Sequence, residues 1–359
     1  MKTLILANAF KGSLSAGAAG KIIRKNLGSS SELLLISDGG DGVIDVFKSA
    51  VPAAQIIKKP VQDAYGVYHN APLLLLPGGK TAVIETAKIC GLGGIEKCDL
   101  KPLISTSFGV GEMIRHGLKL GVKNFYIGLG GVACNDGGAG CAAALGVKFS
   151  DGKKNIPNTV KGLLELKNID VSPLKLHGVK FFALTDVSNP LLGPRGSAAV
   201  FGPQKCRTER EVKVISAALK NYARVIKKSL GRDISSVPGL GAAGAIAAGL
   251  YVFLNAEITP GARFIFNKLK IEREIKKAGR VIITEGCLDA QTFMGKAPGE
   301  AVKLAKKYKK EIIFICGKNK LKEPARRGIK KILELSALAR GGEDSVQNAA
   351  KILACVSKI

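Results

Sequence analysis

Apolar and polar positions alternate along this chain in a way that predicts short strands separated by helices. A strand over Leu4–Ala7 is followed by an amphipathic helix over Ala16–Leu27, which Ser13 or Ser15 would cap. The same succession recurs at these predicted elements: strand Leu33–Ile36, helix Val43–Ser49, strand Asn124–Leu129, helix Gly137–Leu145, strand Lys180–Leu184, strand Val281–Ile283, helix Gly299–Tyr308, strand Ile312–Ile315 and helix Ser345–Val356. Such alternation is typical of parallel sheets covered by helices.

A different pattern lies between residues 56 and 84, where short strands are separated by turns. The predicted strands there are Ile56–Lys59, Val67–His69, Leu73–Leu76 and Thr81–Ile84. This spacing indicates a meander. We therefore predict an α/β fold in which a second domain with a mixed sheet interrupts the parallel-sheet domain.

Composition narrows the class of protein. The chain has 359 residues, of which 46% are hydrophobic and 23% are charged, so it is globular rather than collagenous, coiled-coil or disordered. An uncharged stretch over Val237–Ala256 has the length of a membrane span, but its Pro-Gly start and its Gly and Ala content predict a packed internal helix. Eight scattered cysteines and a start without a signal-peptide pattern predict a cytoplasmic protein.

The net charge of +27 favours anionic partners. Nucleic acid, an anionic membrane and small phosphorylated or carboxylated substrates would all suit such a charge. Aromatic residues make up only 5% of the chain, and no zinc-finger, KH or RRM pattern occurs, so we predict no nucleic-acid partner. The basic stretch around Lys306–Lys310 is spaced like a solvated helix face.

Polar, Gly-rich loops follow five of the predicted strands. Open parallel sheets bind ligands beyond the carboxyl ends of their strands, so these loops are the candidate binding positions. The candidate residues, in chain order, are Lys11, Asp38, Asp41, Gly130, Gly131, Asn135, Asp136, Asp186, Asn189, Glu285, Asp289, Gln291 and Lys296. Each loop has an ordinary alternative, such as a helix cap, an Asp-Gly turn, close packing of a helix on the sheet, or an exposed polar surface.

Two nucleotide-binding patterns fail on inspection. Gly239-x-Gly241-x-x-Gly244 fits the dinucleotide pattern, but no strand precedes it and no acidic residue lies near 20 positions on. Gly78-Gly79-Lys80-Thr81 ends like a P-loop, but the first glycine is missing and the segment is predicted to be a hairpin turn.

Eight sequence blocks together resemble the bacterial type-1 glycerate kinase family (glycerate 2-kinase). The blocks are FKGSLSA (10–16), DGGDG (38–42), ETAKICGL (85–92), TSFGVGEMI (106–114), IGLGGVACNDGGAG (127–140), DVSNPLLGPRGSAAVFGPQK (186–205), PGLGAAG (238–244) and EGCLDAQTFMGKAP (285–298). The resemblance implies a discontinuous flavodoxin-like domain over residues 1–62 and 276–359. It also implies an inserted α/β domain over residues 63–275 that resembles a restriction-endonuclease fold.

The same resemblance implies ATP-dependent phosphorylation of D-glycerate, with 2-phosphoglycerate the favoured product and Mg²⁺ as the metal. The active site is expected in the cleft between the domains. Phosphoryl transfer needs positioning, charge neutralisation and one residue that deprotonates the nucleophile. Asp186 and Asp38 are the candidates for base or metal ligand, with Asp289 as the third choice. Lys11 and Lys296 are the candidates for neutralising phosphate charge. The Gly130–Gly140 loop would hold a carboxylate or phosphate. The expected protein has no membrane partner and is a monomer or a homodimer.

Some positions depart from the family pattern. Asn8 stands where the family has Asp, Asp41 where it has Glu, Cys287 where it has Arg and Met294 where it has His. Ile283-Thr284 also replaces a Thr-Gly pair. These departures keep two alternatives open: a non-catalytic relative that binds a small hydroxy acid, and a kinase with an altered substrate.

Overall fold

The computed structural model describes residues 2–321, 327–339 and 346–355. The strands are β1 Thr3–Ala7, β2 Ser31–Leu35, β3 Gln55–Gln62, β4 Tyr68–Leu75, β5 Thr81–Glu85, β6 Asn124–Gly128, β7 Lys148–Ser150, β8 Asn168–Asp170, β9 Lys180–Thr185, β10 Glu257–Pro260, β11 Arg280–Leu288, β12 Glu311–Asn319 and β13 Lys331–Glu334.

The α-helices alternate with these strands along most of the chain. They are α1 Ala16–Leu27, α2 Val43–Ala50, α3 Ala87–Cys90, α4 Phe108–Lys119, α5 Ala139–Ala144, α6 Val160–Glu165, α7 Ser197–Phe201, α8 Glu209–Leu230, α9 Ala242–Leu254, α10 Gly261–Lys268, α11 Ile271–Lys277, α12 Ala297–Lys307, α13 Leu335–Leu338 and α14 Ala349–Cys355. The predicted terminal helix is present as α14, while Ser345 and Val356 lie outside the described residues.

Two compact units make up the chain. Unit 1 contains residues 2–38 and 42–52 together with the described residues from 260 onward, and unit 2 contains residues 39–41 and 53–259. The predicted domain limits at residues 62 and 275 stay a prediction.

Unit 1 is built on a five-stranded sheet in the order β13-β12-β11-β1-β2, with every adjacent pair parallel. Taken in chain order, these strands have the arrangement 2-1-3-4-5 that flavodoxin-like sheets show. The interior of β1 is wholly apolar, and Leu4, Ile5 and Leu6 are at most 1% exposed. A parallel strand covered on both faces by helices requires such a continuous apolar run, so the parallel sheet predicted from the sequence is confirmed.

Unit 2 contains a six-stranded mixed sheet in the order β10-β9-β6-β5-β4-β3. Strands β3, β4 and β5 form an antiparallel meander, whereas β5, β6 and β9 are parallel. The predicted meander and the second, mixed sheet are therefore confirmed. The restriction-endonuclease-like identity of this unit stays a prediction.

Helix α9 occupies most of the uncharged stretch that the sequence marked as a candidate span. Most of its side chains are buried in the core of unit 2, among them Ile246, Ala247 and Leu250. Within residues 2–321, 327–339 and 346–355, no helix combines the length and apolarity that crossing a bilayer requires. The prediction of a packed internal helix is confirmed.

Candidate active site

The parallel strands of unit 1 end on one side of their sheet, and most of the predicted site residues of this unit lie there. Lys11 follows β1, Asp38 follows β2, Glu285 lies in the second half of β11, and Asp289 follows that strand. We call this set, with Lys296 at the start of α12, the unit 1 edge.

Asp38 is joined to the first turn of α12 across a long sequence separation. Its Oδ1 accepts a hydrogen bond of 2.5 Å from the backbone N–H of Ala297, which is 259 residues away. A helix N-terminus has unpaired N–H groups and a partial positive charge, so it stabilises a neighbouring carboxylate. Lys296 is the N-cap residue of this helix and adds a full positive charge. The arrangement holds Asp38 in a fixed position beside groups that favour anions.

Glu285 is the buried acid of the unit 1 edge, with 7% of its surface exposed. Thr292 donates its hydroxyl to Oε2 of Glu285 over 2.7 Å, and the backbone N–H of Asp289 donates to the same hydroxyl oxygen over 3.2 Å. Burial raises the pKa of Glu285 to about 7, and the nearby charges of Asp38 and Asp289 add to the rise. The hydrogen bond from Thr292 and the charge of Lys296 oppose it. An acid with a pKa near neutrality can exchange a proton during a reaction.

Asp289 begins the short 3-10 turn that follows β11. Its Oδ1 accepts hydrogen bonds from the backbone N–H groups of Gln291 and Thr292, over 2.8 and 3.3 Å. The side chain of Gln291 is exposed beside this turn. Asp289 therefore fixes the turn that carries Thr292, which in turn contacts Glu285.

The loop after β1 packs against β11. The backbone N–H of Asn8 donates to Oγ1 of Thr284 over 2.9 Å, and that hydroxyl donates to the carbonyl of Asn8 over 2.7 Å. Gly286 lies so close to the backbone of Lys11 that a Cβ there would be 3.0 Å from the Lys11 nitrogen. Asn8 and Thr284, both departures from the family pattern, thus form one mutual contact. The side chain of Lys11 is exposed.

In unit 2 the predicted residues gather where β6 and β9 end. These strands are parallel, with Gly128 beside Leu184, so the loops that follow them leave the sheet at the same end. The loop after β6 carries Gly130, Gly131, Asn135 and Asp136, and the loop after β9 carries Asp186 and Asn189. We call this set the unit 2 edge.

Gly130 and Gly131 pack against the short segment 39–41. Gly131 has a φ of +58°, and a Cβ on it would lie 2.5 Å from Oδ1 of Asp41. A Cβ on Gly40 would meet the carbonyl oxygen of Leu129 at 3.2 Å. Only glycine combines this backbone conformation with so close an approach, so the bare backbone brings two predicted ligand loops together.

Asp136 is fully buried, and its carboxylate accepts several hydrogen bonds from neighbouring residues. Ser107 donates both its backbone N–H and its hydroxyl to Oδ2, over 2.7 and 2.8 Å. Gly138 and Gly140 donate backbone N–H groups over 3.2 and 3.0 Å. Burial raises the pKa of Asp136, while these four hydrogen bonds oppose the rise. Asp136 therefore holds the loop in shape.

Asn135 lies next to Asp136 and is 2% exposed. Among the described residues, its buried Nδ2 pairs with no acceptor. A buried donor left unpaired costs about 1–3 kcal/mol, which a ligand oxygen would relieve.

Asp186 and Asn189 have different surroundings in the loop after β9. Asp186 is exposed. The Nδ2 of Asn189 donates to the carbonyl of Arg195 over 2.8 Å, and its own carbonyl accepts the N–H of Gly241. Asn189 thereby links this loop to the segment that begins α9.

Lys205 and Ser107 hold the unit 2 edge and were not among the predicted site residues. Lys205 is 3% exposed, and its Nζ donates to the carbonyl oxygen of Cys134 over 3.1 Å. Both residues lie inside blocks that carry the family resemblance. The sequence signal that could have identified Lys205 is its place at the end of the otherwise uncharged run 196–205. A lysine is rarely buried unless its charge is paired.

Comparison with known proteins identifies the family of this chain. The model of the glycerate kinase family matches residues 3–358. The chain belongs to the glycerate kinase family. It is 33% identical to a glycerate kinase of Halalkalibacterium halodurans over 377 residues, covering 99% of this chain and 98% of that protein. It is 37% identical to the glycerate 2-kinase of Escherichia coli over 325 residues, covering 88% and 85%.

The fold of the glycerate kinase family is also recognisable in the structure. A crystal structure from Salmonella typhimurium, titled as a glycerate kinase 2, matches with a TM-score of 0.80 and 33% identity, covering 99% of this chain and 95% of that one. The resemblance inferred from the eight blocks is confirmed, and the chain is an enzyme of the kinase type. Within the family, this chain places Met294 at a 72% exposed position and leaves Cys287 half-buried beside Asp289.

Proposed function

We propose that this chain transfers the γ-phosphoryl group of ATP to D-glycerate, gives 2-phosphoglycerate, and acts in the cytoplasm. The observation that carries the proposal is the match to the glycerate kinase family over residues 3–358. The relative in Escherichia coli that is 37% identical carries the name glycerate 2-kinase, which favours the 2-hydroxyl as acceptor.

The unit 1 edge has the chemistry that a metal-bound polyphosphate needs. The charges of Asp38 and Asp289 are close enough to act on Glu285. Carboxylate oxygens such as those of these three residues are the ligands that Mg²⁺ prefers. Mg²⁺ would neutralise the charge that develops on the phosphates. Lys296 and the start of α12 would attract phosphate oxygens, and Lys11 would contribute a second cation. Asp38 and Asp186 are the residues proposed as metal ligands.

The unit 2 edge suits the small acid. Asn135 offers an amide N–H that has no partner within unit 2 among the described residues, and the neighbouring Gly131 packs against the carboxylate of Asp41. One neutral amide donor matches a carboxylate or hydroxyl of a three-carbon acid better than a triphosphate, which requires several cations. We therefore assign D-glycerate to this loop.

In the reaction, the acceptor hydroxyl attacks the γ-phosphorus and the bond to ADP breaks. A carboxylate takes the hydroxyl proton. Asp186 and Asp38 remain the proposed bases. Glu285 is added as a third because burial raises its pKa to about 7, and a general base is most effective when its pKa lies near the working pH.

The test is a coupled assay of ADP release with D-glycerate, followed by phosphorus NMR of the product. Asp38→Asn and Asp186→Asn should each lower turnover by about 100-fold or more, the usual range for a general base. Asp45→Asn, an exposed carboxylate on α2, is the matched control and should leave turnover near that of the parent protein. Near-normal turnover in either site variant removes that residue from the mechanism.

The departures at Asn8, Cys287 and Met294 motivate the second candidate function, a relative that binds a small hydroxy acid without phosphorylating it. Calorimetric binding of D-glycerate or ATP by a protein that releases no ADP would favour this candidate. ADP release with another hydroxy acid but not with D-glycerate would favour a kinase with an altered substrate.

A further inference from the structure

Lys205 is a buried cation at the unit 2 edge whose position the proposed reaction does not yet explain. It ends the turn after α7, where its backbone N–H donates to the carbonyl of Gly202 over 2.9 Å. Its side chain crosses to a distant segment and donates from Nζ to the carbonyl of Cys134 over 3.1 Å. Cys134 is the residue immediately before Asn135.

A third segment closes around this contact. Ala243, Gly244 and Ala245 have left-handed backbone conformations, with φ values of 53°, 62° and 64°. A Cβ on Gly244 would lie 1.9 Å from the carbonyl oxygen of Cys134 and 3.0 Å from Nζ of Lys205. The carbonyl of Gly244 in turn accepts the N–H of Gly137 over 3.2 Å. The start of α9 is thus held in an unfavourable conformation against the loop that carries Asn135.

The charge of Lys205 is costly in this position. Burial lowers the pKa of Lys205, and the neighbouring carboxylate of Asp136 opposes the fall. An apolar side chain of similar length would fill the same space without the cost of removing an ammonium from water. The ammonium group of Lys205 therefore has a role other than filling this space.

The contact between Lys205 and Cys134 affects Asn135, the next residue in the sequence. On one side of this residue, Lys205 fixes the carbonyl of Cys134; on the other, Asp136 is fixed by Ser107. Both neighbours of Asn135 in the sequence are therefore anchored, while its own Nδ2 has no acceptor among the described residues. A donor held in place before the ligand arrives binds it without a further loss of conformational freedom.

We infer that Lys205 is a positioning residue for the reaction proposed above: by holding the carbonyl of Cys134, it fixes Asn135 as a hydrogen-bond donor to an oxygen of D-glycerate. This inference rests on the proposed function and adds the group that sets the geometry of the acid-binding loop.

The experiment is a double-mutant cycle of Lys205→Met and Asn135→Ala, with KM and kcat measured for D-glycerate and for ATP. Lys205→Met should raise the KM for D-glycerate about tenfold, as expected for one lost hydrogen bond, and leave the KM for ATP within about twofold. In the Asn135→Ala background the same substitution should change the KM for D-glycerate by less than about threefold, because residues that act through one another are not additive.

Two further variants keep the test decisive. Lys213→Met, an exposed lysine on α8, is the control and should change no constant. If Lys205→Met does not fold, Lys205→Gln takes its place, since a glutamine amide retains a donor for the carbonyl of Cys134 without the charge. The expected loss is then smaller but has the same dependence on Asn135.

The outcomes separate the inference from the function on which it rests. Suppose that the parent protein turns over D-glycerate, but the effects of the two substitutions are additive or only the KM for ATP rises. The role of Lys205 is then overturned, while the proposed function stands. A parent protein without turnover on D-glycerate overturns the proposed function and the inference together.

Discussion

Replacing Glu285 by glutamine tests whether this acid is held near neutrality by burial. Glutamine has the same shape, and its Oε1 can still accept the hydroxyl of Thr292, which donates to Glu285 over 2.7 Å. The substitution therefore removes the titrating proton and the charge while leaving the contact. Burial is the main reason that the pKa of Glu285 rises from 4.5 to about 7.

The size and sign of the effect follow from linkage between protonation and folding. In the unfolded chain the acid loses its proton around pH 4.5, while in the folded protein it keeps the proton until about pH 7. Below pH 4.5 both states are protonated and burial of this group costs nothing extra. As the pH rises through this window, the free energy of unfolding falls. Since one pKa unit corresponds to about 1.4 kcal/mol, the loss above pH 7 totals about 3 kcal/mol.

Glutamine is neutral throughout, so Glu285→Gln should unfold at higher urea concentration than the parent at pH 8 and at nearly the same concentration at pH 4.5. Between pH 5 and pH 8 its advantage should grow by about 2 kcal/mol. Urea unfolding followed by circular dichroism, in a buffer with a chelator, measures this. Glu165→Gln, at an exposed position on α6, controls for removal of a carboxylate. An advantage equal at both pH values, or a variant less stable at pH 8, would refute the reasoning.

Two further stability predictions concern buried contacts of unit 2. Tyr222→Phe removes a hydroxyl that is fully buried and has no partner among the described residues, so urea unfolding should find the variant equal to the parent or more stable by up to about 1 kcal/mol; a loss would reveal a hydrogen bond to that hydroxyl. Gly244→Ala should destabilise far more than Gly12→Ala. Both sites have a positive φ, costing alanine about 1–2 kcal/mol, but only at Gly244 would the new Cβ also collide with the backbone, at Cys134. Equal losses of melting temperature in the two variants would contradict this collision.

The sequence predicts most strands and helices of the parallel sheet because their periodicities are strong. Helix α1 begins and ends where predicted, with Ser15 as its cap. The limits of β11 and β12 are missed, since both strands continue past Gly286 and Gly317 to the pair Leu288–Asn319. Glycine and polar residues normally indicate the end of a strand. Here pairing between the two neighbouring strands outweighs that tendency, and it carries Glu285 into the sheet.

The meander shows a second error of the same kind. Two predicted strands, 67–69 and 73–76, form the single strand β4, which continues through Pro72. Proline lacks the N–H that a central strand needs, and so favours a break in a strand. The structure tolerates it because β5 pairs with β4 only at Leu74 and Leu75. Among the described residues, β5 therefore has no pairing with β4 at Pro72 that the missing N–H could disrupt.

Local patterns predict which residues follow strands, but not which of them contact each other. The bond between Asp38 and Ala297 spans 259 residues, and that between Lys205 and Cys134 spans 71. Neither leaves a periodic signal. Helix α8 was also missed, although Thr208 and Glu211 form a capping box that marks its start.

Adjacent residues in one loop also differ in ways that only the fold reveals. Asn135 and Asp136 were predicted together as polar ligands of the same kind. In the structure, Asp136 receives two hydrogen bonds from Ser107 and two from backbone N–H groups, whereas Nδ2 of Asn135 has no acceptor among the described residues. The difference depends on Ser107, which is 29 residues away.

Buried ionisable groups at the carboxyl ends of parallel strands are the strongest physical reason to regard both edges as functional. Burial raises the pKa of Glu285 and of Asp136 and lowers that of Lys205, so in each case it works against the charged form. Apolar side chains would stabilise the same positions at lower cost. Asp136 holds its loop in shape, whereas Glu285 and Lys205 are the two groups that stability alone does not require. The end of the sheet where parallel strands finish is also where folds of this class bind ligands. The location and the cost of these groups therefore support the proposal that the two edges bind the substrates.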